Sequence, residues 1–313
     1  MNGVITLGEA LIDFTPLDDN NMEFKKNPGG APANVAVGLS RLGVDTTFVG
    51  KVGDDVLGNF LAETLDNNEV NTAEMLLTDE ARTGLTFVTL DEDGDRSFSF
   101  YIDPSADRFL RPEEINKEIF AENKILHCGS ISLIDEPARS ATKYAIQQAK
   151  AHDMLVSYDP NLRMNLWAND ETAQAGIVSV LDDVDILKIS EEELEFITGT
   201  MQAEAGAKEL AEKYEIPLIY ITWGGEGAYY YYQDQLEFVE ALDVEAVDTT
   251  GAGDAFVSGI LYQINQTNKS LAELDKEFLA RTSKLASISG GLAVSDKGAM
   301  AALPTLDEIK GNL

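Results

Sequence analysis

The side chains best suited to chemistry stand together in Asp248-Thr249-Thr250-Gly251-Ala252-Gly253-Asp254-Ala255-Phe256, where small residues and a carboxylate open a helix. Beyond Gly253, the small and apolar residues Ala255, Phe256, Gly259, Ile260 and Ile264 recur at three- and four-residue spacing. This predicts a helix from near Ala252, with Thr249 or Thr250 as its cap. The first amides of such a helix have no partner within it. Together with the positive end of the dipole they favour an anion, and Gly251 and Gly253 let that anion reach the backbone. A phosphate accounts for the glycines. Asp254 needs a separate account, because a carboxylate repels a phosphate beside it. A general base fits: it takes the proton of an attacking hydroxyl while the amides hold the phosphoryl group in line. The plainer alternative is a carboxylate that only complements the helix dipole. On this stretch alone, both stand.

Other polar clusters fall where strands end. An apolar run over residues 4–7 reads as a strand closed by Gly8, and Asp13 lies just past it. Asn27-Pro28-Gly29-Gly30-Ala31-Pro32-Ala33-Asn34 leads into a helix with proline early and Gly43 after its end. Gly29 and Gly30 either admit a ligand to the backbone or make a plain strand-to-helix turn. A strand over residues 155–158 runs into Asp159-Pro160-Asn161-Leu162-Arg163, and ligands of open α/β sheets gather beyond such carboxyl ends. The strand over 186–189 precedes Ser190-Glu191-Glu192-Glu193. Acids there suit a helix dipole, and one could hold Mg²⁺ through water. Gly224-Gly225-Glu226-Gly227 follows a strand over 218–223, but no helix opens on those glycines, so the dinucleotide fingerprint is not met. A Walker A sequence is absent from the chain.

The elements that carry these clusters alternate between strand and helix, with further strands at 48–52 and 125–128 and helices near 58–65, 137–151 and 278–294. Asp54 or Asp55 is placed to cap the helix near 58–65. Such alternation predicts a parallel sheet covered on both faces. The pattern breaks at residues 83–101, where two β-rich runs flank Asp93-Gly94, a hairpin signal. With the polar excursion over 15–27, this hairpin is a candidate lid. Runs at 229–232 and 236–239 read as short antiparallel strands, their tyrosines serving sheet packing.

With 313 residues the chain can bury a full core, and one large domain plus a small accessory one suits that length. Lys and Arg number 23 against 55 Asp and Glu, a formal net charge of −32 that repels nucleic acid and anionic lipid. No apolar run approaches membrane-spanning length, and residues 1–12 lack a basic segment and cleavage site, so a cytoplasmic location is expected. The single cysteine, Cys128, excludes an internal disulfide, and with His127 and His152 as the two histidines no zinc cluster is credible. Cys128 and His127 read as buried structural residues. The spread of acid along the chain suggests a saline cytoplasm, where salt screens self-repulsion.

Taken together, these stretches resemble the ribokinase-like (PfkB) family of sugar kinases along nearly the whole length, and fructokinases within it most closely. Gly29-Gly30-Ala31-Pro32-Ala33-Asn34 and Asp248-Thr249-Thr250-Gly251-Ala252-Gly253-Asp254 match at family level. Gly8-Glu9-Ala10-Leu11-Ile12-Asp13, Tyr158-Asp159-Pro160-Asn161-Leu162-Arg163 and Lys188-Ile189-Ser190-Glu191-Glu192-Glu193-Leu194 are similar to fructokinases in particular. The resemblance implies an α/β fold: a ribokinase-like three-layer α/β/α core with a mainly parallel sheet, plus a small β-sheet lid. Core is then expected over 1–12, 29–82 and 105–313, and lid over 13–28 and 83–104.

The resemblance also implies an ATP-dependent kinase acting on the 6-hydroxyl of D-fructose. Kinases of the same fold for 2-keto-3-deoxygluconate or ribose are the alternatives, and a catalytically silent sugar-binding regulator is the alternative of another class. Asp254 would be the base, with the amides of Gly251, Ala252 and Gly253 as anion hole. Asp13, Gly29, Gly30, Asn34 and Asn161 would bind the sugar, Phe98 or Phe100 would supply an apolar wall, and Arg163 would lie near the sugar or the transferring phosphate. ATP would lie along Lys188, Thr222, Gly224, Gly225 and Gly227 to Gly251 and Gly253, with Gly298 at the adenine. Mg²⁺ would be organised by Glu193 through water, with Ser190 standing where many family members carry asparagine. K⁺ as an activator would be held by backbone carbonyls near Asp248, Thr250 and the 294–298 loop. The implied partners are a sugar and ATP, with a homodimer through the lid as one way to bury an apolar lid face.

Overall fold

The computed structural model describes residues 2–18, 20–90 and 96–313. The chain starts with β1 (Val4–Leu7) and leaves it for a hairpin of β2 (Leu11–Pro16) and β3 (Phe24–Gly29). It returns through α1 (Ala31–Arg41), β4 (Thr46–Gly53), α2 (Val56–Asn67) and β5 (Met75–Thr78), then goes out again as β6 (Gly84–Leu90) and β7 (Arg96–Phe100). After short 3₁₀ turns come β8 (Ile125–Cys128), α3 (Ala138–Ala151), β9 (Leu155–Tyr158), α4 (Asp170–Val178), β10 (Ile186–Ser190), α5 (Glu191–Thr198) and α6 (Ala203–Tyr214). The chain closes with β11 (Leu218–Trp223), β12 (Gly227–Tyr232), β13 (Gln235–Glu240), α7 (Ala252–Gln266), α8 (Lys276–Ala293) and α9 (Leu306–Lys310).

Among the described residues these strands form two sheets. The larger has the order β13-β12-β11-β10-β9-β8-β1-β4-β5. It is parallel from β5 to β11, and β12 and β13 add an antiparallel edge. Successive strand residues point to opposite faces, and both faces are apolar. Ile5, Leu126, Val156, Leu187 and Ile219 pack with α3, α4 and α6 on one side. Val4, Ile125, Ile186, Leu218 and Tyr220 pack on the other with Phe256 and Ile260 of α7 and Leu279 of α8. This is the expected three-layer α/β/α core. It puts the carboxyl ends of the parallel strands along one rim, where Asp159 and Ser190 lie, and β1 leads from that rim into β2, which carries Asp13.

The smaller sheet has the order β3-β2-β6-β7. Leu90 pairs with Arg96 across β6 and β7, so the two runs do pair antiparallel, while the Asp93-Gly94 turn lies outside the described residues. Register sorts its side chains by face. Asp13 stands opposite Thr86, and Thr86 opposite Phe100, on the face toward the core rim. Phe14, Phe24 and Tyr101 gather on the other face around Phe87, with ring centroids 5.1 to 5.5 Å from it.

Cap chemistry explains several element starts. Asp55, rather than Asp54, caps α2 by accepting from the amides of Leu57 and Gly58. The pattern over 278–294 belongs to α8, with α9 as a shorter helix beyond it. Strands β5, β2 and β3 and helices α4, α6 and α9 stood outside the elements read from the sequence, which had only a polar excursion over 15–27 where β2 and β3 pair. The first has four residues, and β5 sits at the sheet edge.

Candidate active site

Helix α7 begins at Ala252 as its spacing predicts, but neither threonine caps it. Gly251 occupies the cap position with φ 86°, and no side chain accepts from the first turn. The left-handed backbone requires glycine, and a Cβ there would also stand 3.0 Å from the Ala299 Cα. The Ala252 amide reaches the Thr249 carbonyl at 3.3 Å. The positive end of the dipole therefore faces a cavity of about 410 Å³ bounded by the core rim and the smaller sheet.

Asp254 lies on the first turn of α7, 6% exposed, at the wall of this cavity. Its Oδ2 accepts from Asn34 Nδ2 at 2.7 Å, and Asn161 Nδ2 approaches Oδ1 at 3.5 Å. Burial pushes the carboxyl up to about 6, against the hydrogen bond from Asn34. Asp159 raises it further, while Lys188 and Arg163 lower it. Asn34 is held by α1, whose entry depends on Gly30 at φ 101°, where a Cβ would meet the Glu9 carbonyl at 2.4 Å. Asn161 adopts φ 47°, a left-handed conformation asparagine tolerates, and its amide donates to Asp159 Oδ1 at 3.2 Å.

Beneath the α7 N-terminus, Lys188 Nζ sits 3.0 Å from Asp159 Oδ2 and 3.1 Å from where a Gly253 Cβ would be. Burial lowers the Lys188 pKa, but Asp159, Glu193 and Asp254 outweigh it and the net direction is up, so the ammonium is retained. Asp13 faces the cavity from β2. Burial pushes it up to about 6, with Arg163 opposing and Asp254 and Asp248 adding to the rise.

The cavity thus brings together Asp13, Gly30, Asn34, Asn161, Arg163 and Asp254 at one end, with Phe98 and Phe100 of β7 closing it. Lys188, Thr222, Thr250, Gly251 and Gly253 line it toward the α7 N-terminus. Gly29, Ala252, Gly224, Gly225 and Gly227 are not among its lining residues. Gly224 and Gly225 face open space, whereas Gly227 is a glycine because β13 passes close: a Cβ would be 2.1 Å from the Val239 carbonyl. Glu193 is also off the cavity. Its Oε1 accepts from Leu162 N at 2.7 Å and its Oε2 from Ser190 N at 2.8 Å, so it ties the 159–163 loop to the start of α5, with Ser190 as reciprocal cap. Asp248 accepts from Thr250 N at 2.9 Å and Gly298 N at 3.1 Å, joining the α7 approach to the loop after α8.

Among the described residues, no group of three or more His, Cys, Asp and Glu side chains is placed to hold a metal ion. His127 and Cys128 are buried. The imidazole meets Ser157 Oγ at 3.0 Å, and burial pushes the thiol up to about 12, which leaves it inert. Sequence reasoning named neither Glu9 nor Thr86 as a site residue, though both line the cavity. For Glu9 the signal was its place between Gly8 and Asp13. Thr86 gave none, because only strand register turns it inward.

An uncapped helix N-terminus suited to an anion, beside a buried carboxylate in a polar cavity, meets the needs of a kinase for small hydroxylic substrates. Comparison narrows that class. Residues 1–306 match the pfkB family of carbohydrate kinases, and the chain belongs to that family. It is 45% identical over 307 residues to a protein named probable fructokinase-2 from Arabidopsis thaliana, covering 96% of this chain and 93% of the relative. Among solved structures it is similar to fructokinase from Vibrio cholerae O395 in a form with fructose, ADP and calcium. That similarity has a TM-score of 0.91, 38% identity, and coverage of 99% of this chain and 98% of the other. A double mutant of the same Vibrio enzyme, with fructose, ADP and potassium bound, matches with the same values. No helix among the described residues is long and apolar enough to cross a membrane.

Proposed function

We infer that the protein is an ATP-dependent fructokinase. It transfers the γ-phosphoryl group of ATP to the 6-hydroxyl of D-fructose and yields fructose 6-phosphate and ADP. The observation that carries this reading is Asp254, buried at the uncapped α7 N-terminus and oriented by Asn34 at 2.7 Å. In this reading Asp254 takes the proton of the 6-hydroxyl as its oxygen bonds to phosphorus. The bond from phosphorus to the β,γ-bridging oxygen breaks, and the amides around Gly251, Ala252 and Gly253 offset the charge on the phosphoryl oxygens. Asp13, Gly30, Asn34, Asn161 and Arg163 orient the sugar, with Gly29 leaving room for the Asp13 carboxylate; Phe98 and Phe100 shield the sugar, and closure of the smaller sheet keeps water from the phosphoryl group. The lid is assigned to 13–28 and 83–104 and the core to the rest.

ATP lies from the open space at Thr222, Gly224 and Gly225, with Gly227 behind it against β13, toward Lys188 and the α7 N-terminus. Mg²⁺ arrives with the nucleotide as part of the substrate. The occupied oxygens of Glu193 suit a role through water and loop position rather than direct ligation. K⁺ is assigned to backbone carbonyls near Asp248, Thr250 and the loop after α8, in keeping with the potassium form of the Vibrio relative. A cytoplasmic enzyme, dimeric through the aromatic outer face of the smaller sheet, completes the reading.

A neutral sugar is favoured over a sugar acid such as 2-keto-3-deoxygluconate, because Asp13 and Asp254 face Arg163 as the one cation at that end of the cavity among the described residues. A silent sugar binder would need neither the uncapped helix nor Asp254. The test is ADP release with D-fructose, ribose and 2-keto-3-deoxygluconate in turn, with and without K⁺. Turnover highest with fructose supports the reading, and sugar binding without ATP turnover overturns it.

A further inference from the structure

Glu9 stands just past β1, two residues beyond Leu7, and is 3% exposed. Its Oε1 accepts from the Ala31 amide at 3.1 Å, at the start of α1. Its Oε2 is buried and has no hydrogen-bond partner. Buried polar atoms without a partner are rare enough to need an explanation, and a ligand is one. Two spaces adjoin this side chain. One is the catalytic cavity, where Glu9 is a neighbour of Asp13, Asn34 and Asp254. The other is a space of about 10 Å³ toward Ser105, Asp107 and Arg108, at the lower limit for a single water.

The chemistry of Glu9 differs from that of the other carboxylates. Burial pushes it up to about 8, opposed by the amides of Glu9 itself and Ala31, with Asp107 and Asp254 adding to the rise. Burial therefore favours the protonated acid below about pH 8. Because Oε1 accepts from Ala31, the proton belongs on Oε2, a donor without a partner in the wall of a cavity otherwise rich in acceptors. A sugar hydroxyl oxygen is a fitting acceptor, and a site that hydrogen-bonds a hydroxyl strongly rejects an analogue lacking it. We propose that Glu9 is a specificity-determining residue that donates a hydrogen bond from Oε2 to one hydroxyl of the bound sugar. The proposal rests on the sugar-kinase reading of the cavity.

The experiment compares the wild type, Glu9→Gln and Glu9→Met on D-fructose and on analogues each lacking one hydroxyl. Wild-type turnover of fructose is checked first, so a failure of the substrate reading is seen before any variant is judged. One analogue is expected to lose at least about tenfold in kcat/KM with the wild type. Glu9→Met should lose a comparable factor on fructose, with KM for ATP unchanged, and should show no further penalty on that one analogue. Glu9→Gln keeps an acceptor for Ala31 and a donor in place of Oε2, and should retain discrimination. Penalties that multiply independently for every analogue would overturn the proposal, because a residue that only supports the α1 turn behaves that way.

A second measurement does not depend on the methionine variant folding. Calorimetric affinity for fructose without nucleotide should weaken in the wild type as pH passes about 8, and stay level in Glu9→Gln. The titratable groups around Glu9 are Asp13, Asp107, Asp254 and the Cys128 thiol, with Arg108, Arg163 and Lys188 as the cations lining the two spaces. Burial pushes the thiol up to about 12, beyond this range. Equal pH profiles for the two proteins would also overturn the proposal.

Discussion

Asp254 joins two roles that a helix N-terminus alone does not combine: it sits where an anion belongs, yet it is itself acidic and buried. Asn34 resolves the conflict by donating to one oxygen, which leaves the other toward the cavity and Asn161. Asp254→Asn is expected to lower kcat by about a hundredfold or more while sugar affinity stays largely intact, measured by steady-state kinetics and calorimetry. With the carboxyl at about 6, wild-type kcat/KM should rise with pH up to that region and then level, since the base must be ionised. The same shift has a cost in stability. A carboxyl whose folded pKa lies above its unfolded value binds more protons when folded, so its penalty begins near pH 4, grows to about pH 6 and stays constant above. Asp254→Asn should therefore raise the unfolding free energy above pH 6 by up to ~3 kcal/mol, and by little at pH 4. Denaturant melts at both values read this directly.

At the scale of elements, the proposed anion site at the α7 N-terminus depends on a glycine, rather than a threonine side chain, holding the cap position. Gly251→Ala forces a residue with a Cβ into φ 86° against Ala299, at a cost of roughly 1–2 kcal/mol or more. It should lower kcat/KM for ATP by at least about tenfold with fructose affinity unchanged, the pattern of a displaced phosphate cradle. The smaller sheet meets the core through a single described side-chain hydrogen bond from the 159–165 region, Asn165 Nδ2 to the Phe98 carbonyl at 3.0 Å. Asn165→Ala should loosen closure, and the ratio of ADP released to sugar phosphate formed should rise as water gains access. An unchanged ratio would remove this bond from the closure mechanism.

The whole molecule carries a formal charge of −32, and its cavity is built from local dipoles and two cations, Lys188 and Arg163, within that field. Self-repulsion of this size is screened by salt, so the unfolding midpoint should rise by several degrees between low and molar NaCl, with KCl adding any effect of a specific K⁺ site. A midpoint that falls or stays level in both salts would end the view of a surface adapted to salinity.

Much of this organisation is legible in the chain itself, because it depends on neighbours in sequence. Strand-helix alternation, the glycines that open α7, the paired runs β6 and β7 and the candidacy of Asp254 all follow from residue type at short spacing, whereas β2 and β3 read only as a polar excursion. Tertiary structure decided the rest, for reasons that spacing does not encode. Asn34 and Asp254 are 220 positions apart and meet because α1 packs on α7. Strand register turned Thr86 inward. Both oxygens of Glu193 went to backbone amides, and Gly251 took the cap expected of a threonine. Burial moved Glu9, Asp13 and Asp254 away from ordinary carboxylate behaviour. Which residues could do chemistry was a property of the sequence. Which of them share a desolvated space, and in what protonation state, depended on how distant segments pack and on how much water they exclude.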